Sequence, residues 1–492
     1  MSVLVPLPFV LPLFAAGLTL AFQGRPRIQR LVSVLSLGGT LGIAIALLLA
    51  VDDGGSVAVQ IGGWIAPIGI TLVVDLFSAI MLVVSAAMIL AVLIYAISSP
   101  KTDDRTEYFH PVYLMLAAGV FLAFLAGDLF NLFVAFEVML TASYVLITLG
   151  AGRDQVRSGM TYVVISLVAS ALFLTSVALI YASTGTVNMA QLAGRIGDIP
   201  DGLQTALGMM LLIAFGIKAA VFPLFFWLPD SYPTAPTPVT AIFAGLLTKV
   251  GVYAIMRTQT LLFPSDGASN LLLAIAVATM VVGVLGAISQ NDIKRILSFH
   301  IVSQIGYMIL GLAFFTLAGL AGAIFYIVHH IIVKTTLFLV SGLIEQRFGT
   351  AALNRLGGIV HRSRMLPILF LLPALSLAGL PPFSGFVAKL ALVDAGLAIG
   401  QGWAVGASLL VSLLTLFSMT KIWGGVFWGQ AEDPAADPEE LPQMPPGMVG
   451  PTALLVALSL VVVVAAAPLW DLSQRAAGEL LSPGGYIEAV LP

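Results

Sequence analysis

The chain contains no cysteine, and only 9% of its 492 residues are charged. Without cysteine it can form no disulfide, thiolate zinc site or cysteine-ligated iron–sulfur cluster. Soluble globular proteins carry about 25% charged residues, whereas 59% of this chain is hydrophobic and its mean hydropathy is +1.06. Such a chain has too few polar residues to cover its surface in water, so the composition predicts an integral membrane protein.

The chain also has little net charge. The formal net charge is only −3, and there is no basic tail, so we expect no nucleic-acid partner. The first apolar segment, 3–22, has no basic residue before it and no clear small-residue cleavage site after it. We therefore expect it to be a retained helix that contacts lipid, not a removed signal peptide.

Long apolar runs are abundant. A helix needs roughly 20 apolar residues to cross a bilayer, and the sequence predicts about fourteen such helices in an all-α fold. The predicted spans are 3–22, 29–51, 71–98, 109–127, 129–150, 158–183, 204–228, 234–257, 269–290, 296–316, 319–344, 365–398, 402–428 and 449–470.

Two of these spans contain internal prolines. Pro223 lies within the seventh span, and Pro381 and Pro382 divide the twelfth, which is too long for a single crossing. Proline removes a backbone donor and clashes with the preceding helical turn. The sequence therefore predicts that helices 7 and 12 are broken inside the membrane.

Basic residues are distributed unevenly between the two sets of loops. Thirteen of the 21 lysines and arginines fall in the loops of one side, whereas the other side and the tail hold Arg195, Arg257 and Arg475. The positive-inside rule then predicts that both termini are extracytoplasmic. The last loop, 429–448, is acidic and rich in proline, and is predicted to be a solvated linker.

Ionisable side chains occur near the middle of several predicted spans, where we expect the least water. Glu137, Lys218, Lys249 and Lys389 lie well inside spans 5, 7, 8 and 12. A charge in hydrocarbon costs at least ~2.5–3.5 kcal/mol, so such residues are presumed functional. The alternative is that the lysines are static counter-ions of the glutamate. A lysine that can be neutral or charged near pH 7 can carry a proton.

A second group lies in span 11. His329 and His330 are adjacent, and Lys334 lies four residues after His330 on the same helix face. Because histidine exchanges protons near neutral pH, this group is typical of a proton relay, although a single buried histidine is more often a core residue. No third metal ligand is evident, so we expect neither a metal nor a cofactor.

Three further residues lie near the ends of spans and are candidate proton entrances or exits: Asp128, His300 and Lys421. Each has a simpler interpretation as well. Asp128 could hold a helix end together with Asn131, Lys421 could extend to the membrane interface, and His300 could lie at the surface.

Taken together, the buried acid, lysines and histidines predict a row of protonatable groups at mid-depth, and therefore the movement of ions or protons. The broken helices 7 and 12 are five spans apart, as in transporters built from inverted repeats. We therefore predict two five-helix repeats, helices 4–8 and 9–13. The chain is therefore predicted to divide into helices 1–3 (1–108), the first repeat (109–257), the second repeat (269–428), and the acidic linker with helix 14 and an outer tail (429–492).

Four segments make the chain similar to a known superfamily. KAAVFPLFFWLPDSYPTAPTPVTAIFAGLLTKVGVY, NDIKRILSFHIVSQIGY, HHIIVKTTLFLVSG and LAGLPPFSGFVAKL occur in this order. They resemble the antiporter-like subunits shared by respiratory complex I, membrane-bound hydrogenases and Mrp-type antiporters, over about 70–430. GGWIAPIGITLVVD, AGDLFNLFVAFEVMLTASY and LLTLFSMTKIWGGVFWG resemble more narrowly the D subunit of Mrp-type multisubunit Na+/H+ antiporters.

This resemblance implies fourteen helices, two inverted repeats and proton half-channels joined by a central hydrophilic axis. It matches Glu137, Lys218, Lys249 and Lys389 to the family's glutamate of helix 5 and lysines of helices 7, 8 and 12. The group formed by His329, His330 and Lys334 matches the helix-11 relay.

The function that the resemblance implies is proton translocation in a bacterial cell-membrane Na+/H+ antiporter of several subunits, driven by proton-motive force, with H+ and Na+ as the transported ions. The alternative is the proton-pumping membrane subunit of an NADH:quinone oxidoreductase or a membrane-bound hydrogenase, whose redox cofactors would lie in other subunits.

Overall fold

The computed structural model describes residues 2–99, 108–149, 152–265, 267, 269–431 and 441–491. Within these ranges, twelve helices are long and apolar enough to cross a membrane, and two shorter apolar helices, Phe109–Leu125 and Met365–Ala378, accompany them. These correspond one to one with the fourteen predicted spans, so the predicted fold class is confirmed. Lys101, Arg105 and the middle of the acidic linker, 432–440, lie outside the described residues.

The elements follow one another along the chain as α1 (Leu7–Ala21), α2 (Pro26–Gly54), β1 (Val57–Ile61), β2 (Ile70–Val74), α3 (Leu76–Ile97), α4 (Phe109–Leu125), α5 (Leu129–Thr148), α6 (Arg153–Thr184), α7 (Met189–Arg195), α8 (Asp201–Ala219), α9 (Trp227–Ser231), α10 (Thr237–Ile242), α11 (Thr248–Leu261), α12 (Asn270–Ser289), α13 (Ile293–Ala313), α14 (Leu317–Phe348), α15 (Ile359–Arg362), α16 (Met365–Ala378), α17 (Ser384–Ala398), α18 (Gly402–Ile422), α19 (Pro446–Val464), α20 (Ala466–Leu481) and α21 (Gly484–Val490). A π-helical segment, Phe243–Leu247, joins α10 to α11, and another, Trp423–Trp428, continues α18. Short 3-10 turns occupy Ser2–Leu4, Ile196–Asp198, Tyr232–Thr234 and Leu353–Arg355.

The centre of the bundle is formed by α10–α11, α13 and α14. The most apolar stretches of α10–α11 and α14 are entirely buried inside the protein, whereas those of α1, α2 and α6 are mostly exposed. Helix α14 packs against α13, α16, α17, α19, α20 and α3. The helices that carry Lys249 and the group His329, His330 and Lys334 are thus the most enclosed, whereas α5 and α8, which carry Glu137 and Lys218, are about half-buried.

Both predicted helix breaks are present. Helix α8 ends at Ala219, and Ala220 adopts a left-handed conformation with φ of 60° before the irregular segment that leads to α9. Helix α16 ends at Ala378, Gly379 has a φ of 83°, and α17 begins at Ser384. Backbone groups freed by such breaks need other partners, and Trp227 Nε1 donates to Ile217 O at 3.0 Å.

The third span differs from its prediction at its start. Residues 71–74 belong to β2, which pairs antiparallel with β1 in the register Val57↔Val74 to Ile61↔Ile70. Helix α3 begins only at Leu76, because the Asp75 carboxylate accepts from Ser78 N at 2.9 Å and caps the helix. The hairpin was missed because its β-branched residues are continuous with the apolar run of the helix.

The C-terminal region also differs from expectation. The last span ends at Val464, so 466–470, assigned to the membrane from the sequence, begin the separate helix α20. Helix α20 packs against α14, α3 and α11, and α21 packs against β1 and α7. The hairpin, the end of α11 and the two C-terminal helices therefore lie together at one end of the bundle, the predicted outer side.

Arg257 was predicted to lie in an outer loop, and this was wrong. It lies inside α11 and is only 4% exposed. Its position in the chain suggested a loop because the predicted eighth span ended at 257, four residues before the helix ends.

Candidate functional site

Glu137 and Lys218 are joined through a serine that the sequence analysis missed. Ser170 Oγ donates to Glu137 Oε1, and Lys218 Nζ donates to Ser170 Oγ at 3.0 Å and to Ser166 O at 2.9 Å. Lys218 is 7% exposed and Glu137 is half-buried. A hydroxyl can accept from the ammonium and donate to the carboxylate at once, so Ser170 links the two charges.

Substitution Ser170→Ala is expected to weaken this link without removing either charged residue. Hydrogen bonds to charged groups contribute about 1.5–3 kcal/mol, so we expect cation-dependent proton flux in vesicles to fall by about tenfold. The matched control is Ser176→Ala on the same helix, because the buried Ser176 hydroxyl bonds only to Leu172 O, at 2.8 Å. Equal flux for Ser170→Ala and wild type would show that the serine does not couple the pair.

Lys218 lies directly against the helix that carries Lys249. A Cβ atom on Gly251 would come within 3.0 Å of Lys218 C, so the backbones of α8 and α11 touch where glycine leaves room. A cavity of about 10 Å³ lined by Lys218, Ser166, Tyr162 and Leu247 lies at the same place. This volume holds about one water molecule, so a water can reach Lys218 on the side of the lysine-bearing helix.

Lys249 is fully buried, and its ammonium is held by the π-helical segment before it. Nζ donates to Ala244 O at 2.6 Å and to Thr248 Oγ1 at 3.3 Å. A π-helical turn disturbs the regular backbone ladder, and such turns are frequent at functional sites. Here the disturbed turn supplies a carbonyl that makes the shorter of the two hydrogen bonds to the buried ammonium.

The relay group on α14 lies next to Lys249. Gly245, in the π-helical segment, packs against Thr335, and Lys249 interacts electrostatically with both His330 and Lys334. Both ring nitrogens of His330 and the Lys334 ammonium are buried without a protein hydrogen-bond partner. Buried polar atoms are nearly always paired, with ordered water where protein groups are absent, so this cluster fits a hydrated path.

His329 connects α14 to the second broken helix. One ring nitrogen, Nδ1, lies 2.9 Å from Ser384 Oγ at the start of α17, and Ser384 Oγ lies 3.2 Å from Ser376 Oγ at the end of α16. The Tyr326 ring packs against both histidines, and its hydroxyl donates to Gln304 Oε1. Polar side chains therefore continue from the relay group to the break in span 12.

Lys389 is held by that break. Its Nζ donates to Leu377 O and Ala378 O at 3.1 Å and to Ser412 Oγ at 3.0 Å, and it lies 4.9 Å from the centre of the Tyr307 ring. The two carbonyls belong to the last turn of α16, whose partial negative charge favours a cation. The broken helix thus provides a binding place for an ammonium inside the membrane.

The three candidate entrances or exits have defined structural contacts. His300 is fully buried, with Nε2 2.9 Å from Ser418 Oγ. Lys421 Nζ donates to Ile288 O and Gln290 O at 2.9 and 2.7 Å, at the end of α12. Asp128 caps α5 by accepting from Asn131 N at 2.6 Å, and burial raises the pKa of its carboxyl group to about 6. The interpretation of His300 as a surface residue was wrong, because it is fully buried and lies near Lys334 and Lys389. The contacts of Asp128 and Lys421 do not extend the central row.

The sequence-predicted residues therefore fall into two sets. Glu137 with Lys218, Lys249, the α14 group and Lys389 occupy neighbouring helices at the core of the bundle, whereas Asp128 and Lys421 hold helix ends. Sequence reasoning missed Ser170, Ser166, Ser384 and Tyr326. Ser166 and Ser170 are four apart in an apolar helix and share one face, which was the only available signal. Among the described residues, no group of three or more acids or histidines could hold a metal ion.

Comparison with known proteins identifies the family. The family described as "NADH:quinone oxidoreductase/Mrp antiporter, TM" matches residues 126–415, more than half of the chain. The D subunit of a Na+/H+ antiporter from Alkalihalophilus pseudofirmus is 44% identical, with 100% of both chains covered.

Solved structures agree in fold over the whole chain. A chain of the Mrp complex from a Dietzia species matches with a TM-score of 0.93 and 37% sequence identity. A chain of an archaeal membrane-bound sulfane sulfur reductase matches with a TM-score of 0.89 and 26% identity. Both matches cover 100% of the two chains compared. Since sequence and structure both agree over the full length, the chain belongs to the D-subunit family of Mrp-type Na+/H+ antiporters, within the superfamily shared with respiratory complex I.

Proposed function

We propose that this chain translocates protons within a bacterial multisubunit Na+/H+ antiporter that is driven by proton-motive force. It works beside other subunits of a hetero-oligomeric complex in the plasma membrane, with both termini extracytoplasmic. The observation that supports this most strongly is the buried succession of Glu137, Lys218, Lys249, the α14 group and Lys389 on helices that touch one another. One relative is named as the D subunit of a Na+/H+ antiporter, and another chain of the same fold comes from a solved Mrp complex.

In the proposed mechanism, Glu137 controls the charge on Lys218. An opposite charge within about 4–6 Å favours the charged form of an ionisable group. While Ser170 links the two, Lys218 keeps its proton, and when the link opens the proton is released through the adjoining small cavity. The short, single-hydroxyl link suits this role because a small rotation of Ser170 breaks it.

The released proton moves to Lys249 and then along α14. Protonated Lys249 donates to the Ala244 carbonyl and passes its proton through water to the neutral imidazole of His330 or to Lys334 in its neutral amine form, since only an unprotonated nitrogen can accept it. The proton then passes through His329 and Ser384 to Lys389 at the second helix break. Each transfer joins groups on elements that are in direct contact or on one helix.

The two breaks act as hinges in this proposal. Pro223 lies in the break after α8, and Pro381 and Pro382 lie in the break before α17. Each break directly follows or precedes a lysine-bearing helix, so a small change in its backbone moves Lys218 or Lys389. The divisions 109–257 and 269–428 each contain one break, and we propose that they form the two inverted repeats.

The alternative is a proton-pumping subunit of a respiratory enzyme. The archaeal reductase chain shares the fold over its full length but is 26% identical, against 44% for the antiporter relative. This difference favours the antiporter. The genes next to this one separate the two: small antiporter subunits support the first function, and flavin or iron–sulfur subunits support the second.

The direct test is Na+-dependent proton flux in vesicles that contain the whole complex, with Glu137→Ala and Lys218→Ala. Both variants are expected to lose nearly all flux, because each removes one member of the pair that starts the transfer. Assembly of the complex is measured first, so that loss of flux is not confused with loss of protein. Wild-type flux in both variants would refute the proposed mechanism.

A further inference from the structure

A buried arginine lies on the same helix as the central lysine and takes no part in the proton row. Arg257 is 4% exposed, and its Nη2 lies 2.5 Å from Asp75 Oδ2 and 3.3 Å from Tyr253 Oη. The Asp75 side chain is 3% exposed. An ion pair is thus enclosed near the predicted outer end of α11.

Four separate elements surround this guanidinium. Asp75 comes from the start of α3, Tyr253 from α11 and Tyr486 from α21, with ring centres 5.5 and 5.1 Å from Arg257 Cζ for the two tyrosines. Glu479 from α20 accepts from Leu76 N at 3.1 Å, beside the same pair. The Tyr486 hydroxyl also interacts electrostatically with Asp128. The two C-terminal helices therefore cover the pair from the predicted outer side.

The arginine is aligned with the central lysine. Lys249, Tyr253 and Arg257 are spaced by four residues, so they share one face of α11 and point the same way. Eight residues at about 1.5 Å each place Arg257 about 12 Å from Lys249 along the axis. The Lys249 ammonium points toward the start of α11, away from Arg257, where it donates to Ala244 O. The Tyr253 hydroxyl donates to Phe124 O at 3.0 Å.

This face places polar side chains between Lys249 and the predicted outer surface. A proton that followed it would meet Tyr253 first, then the guanidinium, and only behind that the Asp75 carboxylate. Arginine does not give up its proton in proteins, so it cannot pass a proton on. Fixed arginines exclude protons and cations from other membrane pores in the same way.

We propose that Arg257, fixed by Asp75 and covered by α20 and α21, is an electrostatic barrier that prevents protons on Lys249 from leaving directly to the outside. The barrier forces them along α14 toward Lys389. This role rests on the proposed function of Lys249 as a proton carrier. Stability alone is a weak explanation, because apolar residues of similar volume often replace a buried ion pair at no cost.

The test is passive proton permeability of vesicles that contain the complex, measured without Na+. The variant Asp75→Asn with Arg257→Gln removes both charges and leaves neither unpaired. We expect permeability to rise by about twofold or more, because the repulsion from the nearer guanidinium exceeds the attraction of the Asp75 carboxylate behind it even at the dielectric constant of water. Adding Lys249→Met should return it to the wild-type value.

The matched control is Arg475→Gln. Arg475 lies on α20 and pairs with Asp52 and Asp471 at the predicted outer surface, so this change also breaks an outer ion pair, but outside the proposed route. It should leave permeability unchanged. Equal permeability in the control and in the Asp75→Asn, Arg257→Gln variant would overturn the barrier.

A second variant, Arg257→His, decides the question if the double variant does not assemble. Histidine beside Asp75 can take up and release a proton, so permeability should exceed the wild-type value and change with pH. A pH-independent, wild-type permeability would count against the barrier, as would failure of both variants to assemble, which would assign the pair to folding.

The outcome for the barrier is separable from that for the proposed function. If Lys249→Met leaves Na+-dependent flux intact, the proposed function fails. If Lys249→Met abolishes that flux while the Asp75→Asn, Arg257→Gln variant stays impermeable, only the barrier fails.

Discussion

Substitution Lys249→Met is expected to reduce Na+-dependent proton flux by about 10²-fold or more, the usual effect of removing one positioned proton-transfer group. Lys249 is the single protonatable side chain between Lys218 and the α14 group in the proposed route. Methionine fills a similar volume but carries no proton, so the two halves of the route would be disconnected. The measurement is flux in vesicles at equal amounts of assembled complex.

The control for this substitution is Thr248→Val. Thr248 is the neighbouring residue, fully buried, and its hydroxyl accepts from Lys249 Nζ at 3.3 Å, a long contact beside the 2.6 Å bond to Ala244 O. Valine keeps the shape and leaves the stronger bond in place, so flux should remain within a few-fold of wild type. Flux retained by Lys249→Met would show that protons pass from α8 to α14 without this lysine.

Substitution Lys389→Arg is expected to abolish flux while preserving the fold. A guanidinium keeps the positive charge that the carbonyls of Leu377 and Ala378 bind, but it does not release its proton. A purely structural lysine would tolerate this change, whereas a proton carrier would not. Flux and thermal stability of the purified complex are measured side by side, and we again expect a loss of about 10²-fold in flux.

Comparison with Lys389→Met separates charge from proton release. Methionine removes the cation from the end of α16, so Leu377 O loses its lysine partner, Ala378 O keeps Ser412 Oγ, and stability should also fall. The arginine variant should lose flux alone. If the arginine variant transports at the wild-type rate, Lys389 serves to hold the break together and does not carry the proton.

The architecture could be predicted from the sequence because it depends on composition and length. Each span is an apolar run long enough for a bilayer, and the breaks follow from Pro223, Pro381 and Pro382, whose effect on a helix is local. The hairpin before α3 could not be separated from the span by hydropathy, since Ile70–Val74 are as apolar as the helix. The C-terminal α20 was missed because its packing on α14 is a tertiary contact.

The charged members of the candidate site could also be predicted. Placing a charged side chain in hydrocarbon costs free energy, so each of them can be recognised by itself within an apolar span. Their connections could not be predicted. Ser170 is 33 positions from Glu137 and 48 from Lys218, and serines are common in membrane helices. Arg257 was placed in a loop because the predicted eighth span ended at 257, and its pairing with Asp75, far away in the sequence, could not be foreseen. Contacts between distant helices depend on packing, which periodicity in one helix does not encode.

The central claim is that water and protonatable side chains connect Lys218 to Lys389 across the core of the membrane. It is tested most directly by an electron cryo-microscopy map of the assembled complex at a resolution that shows ordered water. We predict a chain of waters and polar side chains through Lys249 and His330, with every gap near the hydrogen-bond distance of about 3 Å. Ordered apolar side chains that close the space between Lys218 and Lys249, and leave no room for water, would contradict it.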